Sequence, residues 1–234
     1  MKKLFSLTLV ATFVLTIVAV GLVSRANAQA GLVSSILSRM DKQKRSLRTL
    51  RANISMQKYN SQLRETDIYV GVVLYIPGAA GSSSAFVRLE WTKPQQEILA
   101  VANGNYTLYR PRLNQAIEGK TGSIKSEKDS DVLALMNMSA AQLRTKFGEF
   151  QDMRDETLWG GVQTTHFTAV PKTAASYKYI EVWVDDGGMP VQTKMVEKND
   201  DSTTVRLTNV EKNQDIPRDQ FKLNLNSGVK RIKG

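Results

Sequence analysis

The sequence predicts a mainly β protein with helices (α+β): one long antiparallel sheet that curls into an open barrel. Two observations predict it. From Asn53 onward the chain is a succession of short runs rich in Val, Ile, Thr and aromatic residues, separated by turn residues, which is the form of an antiparallel sheet. About a dozen such runs in one sheet curl rather than stay flat. Helical patterning occurs in two places only, ahead of the first run and in a single interruption midway.

The chain begins with Lys2 and Lys3, an apolar run from Leu4 to Val23, and Ala26-Asn27-Ala28. These are the basic, apolar and small-residue parts of a secretory signal, so residues 1–28 are expected to be removed and Gln29 to be the mature N-terminus. The apolar run exceeds the roughly 7–15 residues usual for a cleaved signal, and an uncleaved membrane anchor is the alternative. Residues 29–234 are expected to form one domain, since all-β barrels reach this length as single units.

Leu32, Val33, Ile36, Leu37, Met40, Leu47 and Leu50 follow helical spacing, with Lys42, Lys44, Arg45, Arg48 and Arg51 between them. That pattern predicts an amphipathic helix with a basic back, docked on its own domain or lying on a membrane surface. Strands are predicted near 53–59, 67–76, 85–92, 97–103, 106–110 and 113–118. Asn103-Gly104 is a two-residue hairpin turn that needs positive φ at both positions. The run Glu97–Asn103 is apolar on both faces, with Ile98, Ala100 and Ala102 on one and Leu99 and Val101 on the other, so it requires two dry neighbours: packed protein and a hollow. Ser130–Gly148 reads as two short helices, the second capped by Ser139 with Gln142 and stopped by Gly148. Strands resume near 150–157, 162–170, 177–184, 191–197, 203–210 and 221–225, with Asp185–Pro190 turning between two of them.

Composition bounds the function. The absence of cysteine excludes disulfides, thiol catalysis, thiolate metal sites and lipid attachment to an N-terminal Cys. Signal cleavage would remove Lys2, Lys3 and Arg25 and no acid, lowering the formal charge of +10 by three. The remaining basic excess suits anionic headgroups or an acidic partner. No nucleic-acid fingerprint is present, and export argues against that partner. His166 is the only histidine, Asp185-Asp186 before Gly187-Gly188 fits a turn better than an acid-base pair, and no phosphate loop or metal-ligand cluster occurs. No enzyme and no cofactor is therefore expected.

The residues Trp91, Pro94, Asn103-Gly104, Leu108-Tyr109, Pro111 and Gln115-Ala116 resemble the outer-membrane lipoprotein carrier family, the LolA-like periplasmic proteins. The segments VWVDDGGMPVQTKMV and NVEKNQDIPRDQFKLNL are similar to that family's C-terminal half. The resemblance implies an open barrel of about eleven strands, lidded by helices, whose apolar cavity holds lipoprotein acyl chains. It implies ligand-binding roles for Leu89 and Trp91, which match inward-facing cavity positions. One departure concerns the lid. The family has an Arg-Pro pair ahead of the Trp91 strand, with the Arg tying the lid down; that place is nearer Ala85-Phe86 here, and Arg88 shares neither the position nor the Pro.

Burying an acyl chain is worth about 0.8 kcal/mol per CH₂, so a carrier needs a large hollow with adaptable walls. Met136 and Met138, with Leu133 and Leu135, are candidates for such a lining, and Trp91, Tyr109 and Trp183 for an aromatic wall. Ile98 and Leu108 complete the expected ligand-binding set of Leu89, Trp91, Ile98, Leu108, Tyr109, Leu133, Met136 and Trp183. The expected function is that of a soluble, monomeric periplasmic carrier. It would take acylated lipoproteins or lipids from an inner-membrane donor complex to an outer-membrane acceptor, with transient membrane-surface contact. The alternative is a periplasmic lipid-sensing or regulatory module on the same fold.

Overall fold

The structure, a computed structural model, describes residues 31–78 and 85–234. The expected signal peptide and most of the Pro77–Ser84 connection lie outside the described residues. Among those described, β1 (Leu50–Asn60), β2 (Glu65–Ile76), β3 (Phe86–Lys93), β4 (Glu97–Ala102), β5 (Asn105–Arg110) and β6 (Gln115–Lys120) form one meander. A second contains β7 (Phe147–Leu158), β8 (Val162–Pro171), β9 (Tyr177–Asp185), β10 (Pro190–Glu197) and β11 (Ser202–Lys212). Pairing of β1 with β11 joins them into a single open, curled twelve-stranded sheet of order β12-β6-β5-β4-β3-β2-β1-β11-β10-β9-β8-β7. The short last strand β12 (Lys230–Lys233) lies parallel to β6, and every other pairing is antiparallel.

This order dictates where the helices go. β6 ends beside one edge of the sheet and β7 is the other edge, so the chain between them has to cross the whole sheet. Helices α2 (Glu127–Asn137) and α3 (Ala140–Lys146) make that crossing over the inner face. The hydroxyl of Ser139 accepts the Gln142 amide at 3.2 Å and starts α3, as its capping pattern predicts. The helix ends on Phe147, which is already extended, and Gly148 is the second residue of β7 rather than a helix stop. Pairing of β7 with β8 takes the backbone before the glycine is reached.

The first helix, α1, covers residues 31–46 and buries Ile36, Leu37 and Met40. It is shorter than its apolar periodicity suggests. Leu50 stands three residues after Leu47, but it also opens the alternation Leu50, Ala52, Ile54, Met56; pairing with Tyr75 and Lys212 places it in β1. A close approach fixes the seat of α1: Gly188, at φ 91°, lies in the β9–β10 turn where a Cβ would meet the Arg39 carbonyl oxygen at 2.3 Å. Asp185 holds the turn with one carboxylate oxygen on the Met189 amide (2.7 Å) and the other on Lys212 Nζ (2.8 Å). The Asn103-Gly104 hairpin forms with φ values of 53° and 73°.

The run 221–225 is not a strand. A 3₁₀ turn, Arg218–Phe221, follows Pro217 and crosses the outer face of β3 and β4, where the run has no free ladder to join. Phe221 and Ile216 pack there on Leu74, with Ile76 and Phe86 alongside. The rings of Phe86 and Phe221 meet edge to face at 5.8 Å. This settles why β4 is apolar on both sides. Leu99 and Val101 enter the main core, while Ala100, on the opposite face, is buried at a strand that the C-terminal turn touches. Its second neighbour is a chain segment and not a hollow.

Candidate functional site

The inner face is filled unevenly. Strands β1 to β5 contribute Leu50, Ile54, Met56, Val73, Tyr75, Leu89, Trp91, Leu99 and Leu108 to one continuous cluster with Val132 and Leu135 of α2. Strands β9 to β11 contribute the smaller set Ile180, Thr193, Met195, Thr203 and Val205 beneath α2 and α3, and there a cavity of about 240 Å³ remains. Ala134, Leu135, Met138 and Leu143 roof it, Phe147 and Tyr177 stand at its β7–β9 side, and Asp131, Gln142 and Lys146 supply polar groups. Burial raises the Tyr177 phenol above its ordinary pKa. A second, much smaller hollow of about 30 Å³, room for little more than a water, lies between α1, α2 and the β9–β10 turn. Leu135 and Met138 line both, so side chains and no strand divide them.

Polar ties anchor the N-terminal half of α2 to the filled side. Trp91 Nε1 donates to Asp129 Oδ1 at 2.8 Å, both groups being fully buried. Lys128 pairs with Glu97 and lies over the Tyr69 and Trp91 rings at 5.5 and 5.6 Å. Lys58 reaches Glu127 at 3.5 Å and Asp131 at 3.7 Å. Desolvation raises the pKa of both Asp129 and Asp131, against the opposing pull of hydrogen bonds from Ser126 and Trp91 in the first case and of Lys58 in the second. Arg88 takes no part in this. It lies on the outer face, pairs with Glu90 and donates to the Gln220 carbonyl at 2.7 Å, so it holds the C-terminal turn and not the lid.

The eight residues expected to bind ligand divide between two settings. Leu89, Trp91, Leu108, Met136 and Trp183 belong to one buried cluster, and Leu133 packs against it. Ile98 and Tyr109 pair with each other on the outer face, opposite to Leu99 and Leu108. Trp183 pairs with His166 on the face opposite to Val182 and Val184, the rings 4.5 Å apart. A period of two therefore splits the expected aromatic wall, with Trp91 inward and Tyr109 outward. Met136 lines the smaller hollow, with Met40, Met138 and Met189. His166 is buried, its Nδ1 3.3 Å from the Asp152 carbonyl and its Nε2 3.2 Å from Glu181. Sequence reasoning did not single out Lys58, Asp129 and Asp131; the signal was an Asp three residues before Val132 on a face that is otherwise apolar.

A curled single sheet with helices across its inner face and an apolar hollow beneath them defines a class of binding folds. The chain belongs to the outer membrane lipoprotein carrier protein LolA family, whose model matches residues 85–224. Among solved structures, MucB is similar with a TM-score of 0.58 and 12% identity, over 83% of this chain and 63% of that one. The Pseudomonas aeruginosa MucA/MucB complex is similar at a TM-score of 0.51 and 13% identity, over 82% of this chain and 61% of that one. LprF from Mycobacterium bovis is similar at 0.51 and 12% identity, over 80% and 97% of the two chains. The chain thus spans under two thirds of the MucB chains it matches. No curated protein matches the sequence. No helix among the described residues is long and apolar enough to cross a membrane.

Proposed function

We propose that this chain is a periplasmic carrier that holds the acyl chains of lipoproteins in the hollow between α2–α3 and β9–β11, and shuttles them from an inner-membrane donor to an outer-membrane acceptor. The observation that carries the reading is the apolar cavity left under the crossing helices of a lipoprotein-carrier family member. Its volume of about 240 Å³ is below the roughly 300–1,000 Å³ of ordinary ligand pockets. Loading accordingly requires the helices to move. Leu135 and Met138 are the divider, and their displacement joins the two hollows without breaking a strand pairing. Each methylene brought in contributes about 0.8 kcal/mol, which can drive that opening.

The test is to fill the hollow. Thr193→Trp puts a large ring into space already present, so the protein should melt within a few degrees of wild type while affinity for a fluorescent acyl probe falls at least about 10-fold, or about 1.4 kcal/mol. Unchanged probe binding in this variant would remove the hollow as the acyl site. A second reading, a lipid-sensing module that passes its signal to a protein partner, is favoured by the likeness to MucB, which has been solved in complex with MucA. Release of an acylated lipoprotein from inner-membrane vesicles as a one-to-one soluble complex supports the carrier. Acyl binding without such release, coupled to altered affinity for a protein partner, supports the sensor.

A further inference from the structure

The smaller hollow has two features that the carrier reading does not use. Four of the eight methionines, Met40, Met136, Met138 and Met189, line it, each from a different place in the chain or a different face of α2's end. Methionine is flexible and polarizable, so such a wall can part and close around an unbranched chain without a fixed shape. Two hydrogen bonds bridge the cleft at Asn137. Lys44 Nζ of α1 donates to the Asn137 carbonyl at 3.1 Å, and the Tyr75 hydroxyl lies 3.4 Å from Asn137 Oδ1. The first is exposed and the second half-buried, in contrast to the fully buried Trp91–Asp129 tie at the other end of α2.

The second feature is charge. The apolar side of α1 is spent on the core through Ile36, Leu37 and Met40, so this helix does not insert its own apolar face in a bilayer. Its back and the segment after it carry Lys42, Lys44, Arg45 and Arg48, all exposed. Among the described residues none of the four forms an ion pair. The one acid within this stretch, Asp41, is already paired with Arg144 at 3.2 Å. Cations left unpaired beside an apolar seam match an anionic bilayer surface, where each Lys or Arg strengthens attraction about fivefold.

We propose that the methionine-lined cleft between α1 and α2 is the entrance by which an acyl chain reaches the larger hollow, and that the basic back of α1 seats this entrance on an anionic phospholipid surface. The inference rests on the carrier reading and specifies its donor surface. Docking is electrostatic and reversible, and the chain passes Met138 and Leu135, which line both hollows.

The experiment uses the protein in the form the cell accumulates, wild type and the triple variant Lys42→Gln, Arg45→Gln, Arg48→Gln, with vesicles of phosphatidylcholine alone or mixed with phosphatidylglycerol. Wild type should bind the anionic vesicles and release at about 1 M salt, where the Debye length is about 3 Å. The triple variant should lose roughly 100-fold in binding, about fivefold per charge, and acyl-probe uptake from anionic vesicles should slow in step. Its affinity for an uncharged acyl probe free of vesicles should stay within twofold of wild type. Because the chain has no cysteine, a polarity-sensitive dye on Gln43→Cys reports the seam alone. It should move to an apolar environment on anionic vesicles, and the same dye on Leu113→Cys, exposed between β5 and β6, should not. Equal binding to neutral vesicles, retained binding in the triple variant, or a response at Leu113 instead of Gln43 would each overturn the proposal. Failure of wild type to take up the uncharged probe at all would sink the carrier reading itself, whatever the vesicles show.

Discussion

The two halves of the sheet share one inner face and differ in what stands on it. Strands β1 to β5 present Leu, Ile, Met, Tyr and Trp side chains that pack with Val132 and Leu135 and border only the small hollow of about 30 Å³, while β9 to β11 present two threonines, a valine, an isoleucine and a methionine and leave about 240 Å³. Leu135 of α2 borders both halves, so the volume of the strand residues beneath it decides where the hollow lies. Family resemblance pointed to Leu89 and Trp91, on the side that turned out full. The difference teaches that a shared fold carries over the crossing helices and the curled sheet, but that the empty space follows the local sum of side-chain volumes.

The largest effect should come from placing a charge in each half. Leu89→Glu buries an unpaired carboxylate in the filled half, costing several kcal/mol out of a total of about 5–15. Thermal melting should show gross destabilisation. Met195→Glu faces the hollow from a half-buried position, and the variant should fold while acyl-probe binding is lost. If Leu89→Glu melts like wild type and Met195→Glu does not fold, the assignment of full and hollow halves is reversed.

A middle-sized effect tests the tie that clamps α2 to the full half. Trp91→Phe keeps most of the ring but removes the donor to Asp129, leaving a buried carboxylate short of a partner at about 1–3 kcal/mol. For a chain of this size each kcal/mol moves Tm by about 2–4 °C. A variant with unchanged Tm would mean that the buried bond contributes nothing to seating the helix.

The smallest effect is a pH dependence. Desolvation raises the Asp129 pKa above its ordinary carboxylate value, so the folded state binds its proton more tightly than the unfolded chain does. The stability tied to that proton is complete below the ordinary value and is lost as pH rises through the raised one. Asp129→Asn keeps an acceptor for Trp91 and cannot ionise. It should be more stable than wild type at neutral pH, and the gap should narrow as pH falls through the raised value toward the ordinary one. A gap that stays constant between neutral pH and the ordinary carboxylate range would show that Asp129 is not the group responsible.

Much of this architecture was legible in the order of residues. The β1–β11 runs, the Asn103-Gly104 turn, the Ser139 cap and the Asp185 turn depend on neighbours within a few positions, and the sequence by itself determined them: alternation, positive-φ residues and capping hydroxyls act locally. The same locality explains the errors. Leu50 fits a helix and a strand, and Phe221 fits a strand until it proves to pack across the outer face on Leu74 and Phe86. Only the tertiary structure could decide that Ile98 and Tyr109 face away from the helices, because alternation along a strand separates two faces without saying which of them the helices cover. It alone decided that Lys58 and Asp131 meet and that Trp91 is satisfied by Asp129. The hollow is the furthest from sequence of all. It is the space left when side chains from α2, α3 and four strands fail to fill a volume, and no one of those segments contains it.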